Sequence, residues 1–214
     1  MTSHKKLLAV FIPAIALVAF AIFIQVIRYE PLHPNITKKD TTQNQTLTIP
    51  ILPDDPIDGD KKSAITVIAF EDFSCSSCEE QNNLLNTIQE THPGVVKIIW
   101  KGLPVHEFPF PSRDAHRYAY CAYRQGKFDT FKEYAFINGD NLSPPILKQI
   151  VEEIKLDTKK LNNCLGSQDP DTHITQIETI AQSLNIQSVP ALFIQNKQIK
   201  APLTVGEWEQ ILGL

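Results

Sequence analysis

The sequence predicts an α/β domain behind an apolar N-terminal helix, and three observations carry that prediction. Two β-prone runs, Ile65 to Phe70 and Val95 to Trp100, flank one amphipathic stretch carrying Leu84, Leu85 and Ile88. A helical pattern then fills about residues 112–185, and the chain returns to β at Ala191-Leu192-Phe193-Ile194. Strand, helix, strand in that order makes a parallel crossover unit, so the domain is organised on a sheet rather than as a bundle.

The N-terminal segment is read first. Leu7 to Ile27 is apolar except at Pro13 and Gln25, with Lys5 and Lys6 before it and Arg28 after. At about 1.5 Å per residue such a helix is about 30 Å long, the thickness of a bilayer's hydrocarbon core. A cleaved signal peptide is the alternative. Its apolar region runs about 7 to 15 residues and ends in small residues, whereas this run is longer and ends in Ile24-Gln25-Val26-Ile27, so an uncleaved transmembrane anchor over residues 7–27 is expected. Lys5 and Lys6 favour a short cytoplasmic tail, residues 1–6, and an exported body on the periplasmic or other extracytoplasmic side. Residues 28–56, rich in Thr, Asn, Asp, Lys and Pro, read as a polar tether, with Thr46 to Leu52 alternating weakly as a candidate edge strand. The remaining body, 57–214, is the size of one domain with its own core. A net charge of −4 and the lack of any Lys/Arg cluster beyond short pairs point away from a nucleic-acid partner.

Each later element has its own signal. Pro104, Pro109 and Pro111 mark an irregular segment after the second strand. Ser112 reads as an N-cap, with Ala115, Tyr118, Ala119 and Ala122 at helical spacing behind it. Phe128, Phe131 and Tyr134 suggest a second helix; Ser143-Pro144 opens a third carrying Ile146, Ile150, Val151 and Ile154. A short helix after Asp157 carries Leu161 and Cys164, and His173 to Leu184 places Ile174, Ile177, Ile180 and Ala181 on one face. A turn at Gln195-Asn196-Lys197, a short strand Gln198 to Lys200 and a last helix from about Val205 to Leu212 close the chain.

The chemistry sits in Cys75-Ser76-Ser77-Cys78, directly after the first strand and at the start of the amphipathic helix. Two sulfurs three positions apart on a first helical turn can close a disulfide, and a helix N-terminus stabilises a thiolate on the leading cysteine. A structural zinc site is the competing reading of Cys-x-x-Cys. Zinc wants four N or S ligands, and Cys121 and Cys164 are far apart with no second Cys-x-x-Cys, so redox chemistry is favoured. All four cysteines fall in the part expected to be exported, where disulfides persist. Their even number permits a structural Cys121–Cys164 bridge; two buried reduced thiols are the alternative. No histidine pair at helical spacing suggests a metal, His106 and His116 read as surface or capping residues, and no phosphate-binding glycine loop is present. No cofactor is expected.

The body resembles the DsbA-like branch of the thioredoxin superfamily over about Ile57 to Leu214. The matching residues are Phe70-Glu71-Asp72-Phe73-Ser74-Cys75-Ser76-Ser77-Cys78, Ala119-Tyr120-Cys121-Ala122-Tyr123-Arg124-Gln125-Gly126-Lys127-Phe128, and Ser188-Val189-Pro190-Ala191-Leu192-Phe193-Ile194. The resemblance implies a thioredoxin fold split by a helical insertion over about 112–185. It also implies a cis Val189-Pro190 bond beside the cysteines, with Val189 and Pro190 presenting backbone to an extended substrate. In this reading Cys75 is the attacking sulfur, Cys78 the resolving partner, and Ser76 and Ser77 support the motif.

Two departures from the family pattern bear on the direction of exchange. Strong oxidants of this family carry a histidine between the cysteines, and here both intervening residues are serine. Glu71, Asp72, Glu79 and Glu80 add negative charge that opposes a thiolate. Each unit of pKa rise corresponds to about 1.4 kcal/mol, or roughly 30 mV less oxidising in a two-electron couple, so a milder oxidant is expected. The second departure is Ala69, six residues before Cys75, where family members commonly hold a buried acid. Lys101, at the end of the second strand, is expected to be solvated. The expected activity is a membrane-anchored thiol:disulfide oxidoreductase forming disulfides in exported cysteine-containing proteins and reset by a membrane redox partner. The alternatives are a reductase or isomerase of the same fold, or a non-catalytic binding module or chaperone.

Overall fold

The computed structural model describes residues 17–20 and 48–214. The chain divides into two units, 1–45 and 46–214. Of the first, residues 17–20 are described and are helical; the rest of the expected anchor and most of the expected tether lie outside the described residues. Among the described residues no helix is long and apolar enough to cross a membrane.

The second unit contains one five-stranded sheet. Its strands are β1 (Ile57–Asp58), β2 (Ile65–Glu71), β3 (Val96–Gly102), β4 (Ala191–Ile194) and β5 (Lys197–Ile199), in the spatial order β1-β3-β2-β4-β5. Only β2 and β3 run parallel, joined by the crossover helix α1 (Ser76–Thr91). The other neighbours pair antiparallel. Between β3 and β4 come α2 (Arg113–Tyr123), α3 (Phe128–Ile137), a 3₁₀ turn (Gly139–Asn141), α4 (Pro144–Glu153), α5 (Thr158–Leu165) and α6 (Asp169–Ser183). Helix α7 (Val205–Leu212) ends the fold. This is the split α/β arrangement implied by the resemblance. Helix α6 starts four residues before His173 because Pro170 sits in its first turn, where proline's missing N–H is no loss.

Strand alternation divides the core. Val67 and Ala69 face one side with Leu85, Ile88, Ile98, Leu192 and Trp208, against α1 and α7. Ile68 and Phe70 face the other, with Ile99, Ile177, Ala181 and Phe193, against α6. A third cluster joins the helical insertion to the sheet's carboxyl end and contains Phe73, Trp100, Ala115, Ala119, Phe128 and Phe131. Each large side chain among these, such as Phe73, Phe131 or Ile88, stabilises the fold by about 1.5–3 kcal/mol on burial, and the third cluster reaches both cysteines of the motif.

Three expectations are corrected here. The edge strand lies at Ile57–Asp58, and of the expected Thr46 to Leu52 the described residues 48–52 form no strand, because Pro50 cannot donate to a ladder and Pro53 follows at once. The packed fold also begins before residue 57: Ile49 is buried in the core and its N–H is bonded to Asn196 Oδ1. Lys101 is not solvated. It is wholly buried, donating to Asp55 Oδ2 at 2.5 Å and to the Pro50 carbonyl at 2.6 Å, because residues 49–56 fold across the end of β3.

Candidate active site

Strand β2 delivers Glu71, Asp72, Phe73 and Ser74 to the sheet's carboxyl edge, and the chain turns there into α1. Cys75 is the N-cap, with extended backbone (φ −105°, ψ 109°), and the Cys78 N–H points back at Cys75 Sγ over 3.2 Å. The Ser77 hydroxyl lies 3.2 Å from the same sulfur. Cys75 and Cys78 are joined as a disulfide, with Cα atoms 5.2 Å apart. Cys75 is 8 % exposed and Cys78 0 %, so only the leading sulfur has a route to solvent. Ser76 and Ser77 are exposed on the helix start. Across from α1, the Val189–Pro190 bond is cis and the Val189 carbonyl oxygen lies 3.7 Å from Cys75 Sγ. Cys121 on α2 and Cys164 on α5 form a second disulfide, S–S 2.02 Å, within the helical insertion.

The acids before the motif behave differently from the sequence expectation. Asp72 is fully buried, yet its carboxylate is held well below the usual range. Burial alone would raise it; bonding and charge from His116, together with the Val105 N–H and Ser112 hydroxyl, outweigh that cost. One carboxylate accepts from the N–H groups of Ser74, Val105 and His106, from Ser112 Oγ at 2.8 Å and from His116 Nε2 at 3.2 Å. Since a carboxylate only accepts, Nε2 carries the imidazole proton. Ser112 holds the N-cap position of α2 as expected, but its hydroxyl is spent on Asp72 and makes no cap bond. His116 is not a surface residue either. It is buried, stacked on Trp100 with ring centres 5.3 Å apart and tilted on Phe73 at 4.9 Å. A signal existed, because His116 lies between Ala115 and Ala119 inside the apolar stripe of its helix.

Glu71 points to the same side as Ala69 and is also buried. Its carboxyl rises from an ordinary 4.5 to about 7, first because burial penalises the charge, with the Lys132 ammonium opposing the rise. Lys132 itself pairs with Asp58. Ala69 adds only a methyl to the apolar face against α1. Of the four acids expected to oppose a thiolate, Asp72 is therefore compensated by its donors and Glu71 is about half protonated at neutral pH. Glu79 lines a cavity that also touches Cys75.

Sequence reading missed the surroundings of that cavity. It holds about 90 Å³ between Ser74, Cys75, Ser76, Glu79, Phe136, Ile137, Gly139 and Asp140. Gly139 is needed there, since a Cβ would stand 2.5 Å from the Phe73 carbonyl oxygen. Another concavity, about 750 Å³ along α6 beside Pro50 and Leu52, shares no residue with the surroundings of Cys75 and Cys78. No group of three or more potential metal ligands occurs among the described residues.

Comparison with known proteins agrees with this geometry. A family model described as Thioredoxin matches residues 52–213. Among solved structures, a periplasmic thioredoxin-like protein from Salmonella enterica serovar Typhimurium superposes with a TM-score of 0.67 at 21% identity, covering 77% of this chain and 91% of that one. The thiol-disulfide exchange protein alpha-DsbA2 from Wolbachia pipientis gives 0.67 at 19% identity, covering 74% and 86%. Among curated sequences, the Na(+)/H(+) antiporter NhaA 3 of Salinispora tropica is 22% identical over 160 residues, 74% of this chain and 24% of that protein. The chain thus spans about a quarter of the length of the curated relatives it matches. With its Cys-x-x-Cys at the start of the crossover helix and a cis-proline loop facing it, the chain belongs to the thioredoxin family.

Proposed function

We propose that the protein is a thiol:disulfide oxidoreductase that works outside the cytoplasm, anchored by residues 7–27, and forms disulfides in exported proteins through Cys75 and Cys78. One observation carries this reading: the partly exposed Cys75 sulfur stands at the N-terminus of a 16-residue helix, 3.7 Å from the cis-proline loop, with its partner sulfur sealed beneath. In the reduced protein the Cys78 N–H, the Ser77 hydroxyl and the helix dipole all favour a Cys75 thiolate.

A substrate thiolate attacks Cys75 Sγ, the Cys75–Cys78 bond breaks, and Cys78 leaves as a thiolate that takes a proton. The substrate's second thiolate then attacks its own sulfur in the mixed disulfide and expels Cys75. Two electrons pass from substrate dithiol to the cysteine pair, and a membrane redox partner removes them. The Val189 carbonyl offers an acceptor to substrate backbone lying along the loop. Absence of a cation between the cysteines makes the pair a mild oxidant. The extracytoplasmic assignment draws on the apolar run at residues 7–27 and on the periplasmic description of the Salmonella protein.

A redox titration tests the reading. A reversible couple between roughly −120 and −230 mV supports catalysis, whereas a pair that resists reduction below about −300 mV is a structural staple. Direction is tested by refolding a reduced multi-cysteine protein, which Cys75→Ser must fail to oxidise. Membrane fractionation and the mass of the mature chain test the anchor: loss of the first twenty or more residues means a cleaved signal.

A further inference from the structure

The cavity beside Cys75 does not end there. A second cavity of about 150 Å³ shares Ser74, Gly139 and Asp140 with it and continues to His106, Phe108, Pro109 and Phe110. Together they form a groove that starts at the reactive sulfur and runs away from α1 to the proline-rich loop after β3. Each compartment matches a few water volumes, which suits one side chain and not a cofactor.

The two ends differ in chemistry. Near the sulfur, Glu79 and Asp140 line the wall, and neither makes an ion pair among the described residues. At the far end Phe108 is 88 % exposed, beside Phe110 and the exposed Val105. Phe108 and Phe110 line the same cavity, so their exposed apolar surfaces form one patch at this end, the kind of surface that marks an interaction site. The loop is nonetheless held in place, because the Val105 and His106 N–H groups are bound by Asp72. The groove floor is fixed by the close approach of Gly139 to Phe73.

We propose that this groove selects substrates: it takes an extended cysteine-bearing segment with a Lys or Arg flanking the cysteine and an apolar residue beyond it. Continuity with Cys75 determines that the occupant is the polypeptide undergoing exchange. Glu79 and Asp140 determine the charge of its near side chain, and Phe108 with Phe110 the apolar character of the next. The proposal rests on the oxidoreductase reading and adds the substrate class. The exchange step is the one already written, with two electrons passing from the segment's dithiol to Cys75–Cys78.

The test uses synthetic dithiol peptides in which the residues flanking the reacting cysteine are Arg, Ala or Glu, with and without Leu further out. Exchange rates with the oxidised full-length protein are followed by stopped flow, beside dithiothreitol as a structureless dithiol. Two rim carboxylates predict that Arg peptides react roughly fivefold faster than Glu peptides at low salt, with the ratio shrinking at high salt. Glu79→Gln with Asp140→Asn brings the ratio near one, while Glu153→Gln, an exposed carboxylate on α4, keeps it. Phe108→Ser removes the advantage of the Leu-bearing peptides. Equal rates for Arg, Ala and Glu peptides alongside normal reaction with dithiothreitol overturn the groove and leave the oxidoreductase intact. Failure with dithiothreitol as well overturns both.

Discussion

His116 Nε2 donates to Asp72 Oδ1 at 3.2 Å, with both side chains sealed from solvent. That single contact ties the start of α2 to the residue three positions before Cys75. Through the same carboxylate the tie extends to Ser74, to the loop at Val105 and His106, and to Ser112. Asp72 is thus the point at which the insertion is fastened to the carboxyl edge of the sheet, and its charge is maintained by donors rather than by water.

Asp72→Asn is expected to cost about 3 kcal/mol at neutral pH, because it turns an accepting oxygen into a donor facing other donors. The pH dependence has a definite sign. The folded carboxyl lies below its unfolded value of 3.8, so the stability it contributes is present above that value and lost as pH falls through the folded pKa. Urea midpoints of the wild type should therefore drop between pH 4 and pH 2, and those of Asp72→Asn should drop less. Parallel curves would sink the idea.

Glu71, one residue earlier, behaves oppositely. Its folded pKa is raised to about 7, so its contribution is fully present below 4.5 and lost as pH rises through 7. Glu71→Gln should match the wild type at pH 4 and exceed it by about 3 kcal/mol at pH 8. Chemical denaturation at the two pH values measures this; a variant less stable than wild type at pH 8 refutes it.

These neighbours show where sequence reading stops. The strands and the crossover helix were legible, because β-branched runs and helical spacing are local signals, and the Cys75–Cys78 spacing is read directly off the chain; the cis Val189–Pro190 bond was implied only by the family resemblance. The divergent roles of Glu71 and Asp72 were not. Alternation places them on opposite sides, but only tertiary packing brings Ser112 and His116, about forty residues away, to one carboxylate and leaves the other with little but Lys132. Lys101 misled for the same reason, since its partner Asp55 lies in a segment whose composition resembles a linker. The groove beyond Cys75 was illegible because it joins the loop after β3 to the turn after α3, which only the fold brings together.

The second disulfide can be tested independently of the first. Cys121 and Cys164 are 43 positions apart, and closing a loop of that length stabilises a domain by up to about 4 kcal/mol through the unfolded chain. Replacing both with serine should lower the urea midpoint accordingly while Cys75–Cys78 still reacts with dithiothreitol. Equal stability of the double variant and the wild type would show that the bridge contributes nothing.

Lys101 and Asp55 test how the N-terminal edge of the domain is fastened. Both are wholly buried, and Lys101 Nζ also donates to the Pro50 carbonyl, so one ammonium holds residues 50–55 against β3. Burial lowers the Lys101 pKa while Asp55 opposes that fall. Lys101→Met leaves the Asp55 carboxylate buried without its cation and should cost about 3–5 kcal/mol. Asp55→Leu combined with Lys101→Met removes both charges and should recover most of that loss, since apolar replacements of a buried pair are often neutral. Hydrogen exchange adds a local reading: amides of residues 49–56 should exchange faster in Lys101→Met, with little change in β2. Uniform protection across both segments would mean that Ile49 and its bond to Asn196 hold the edge without the ion pair.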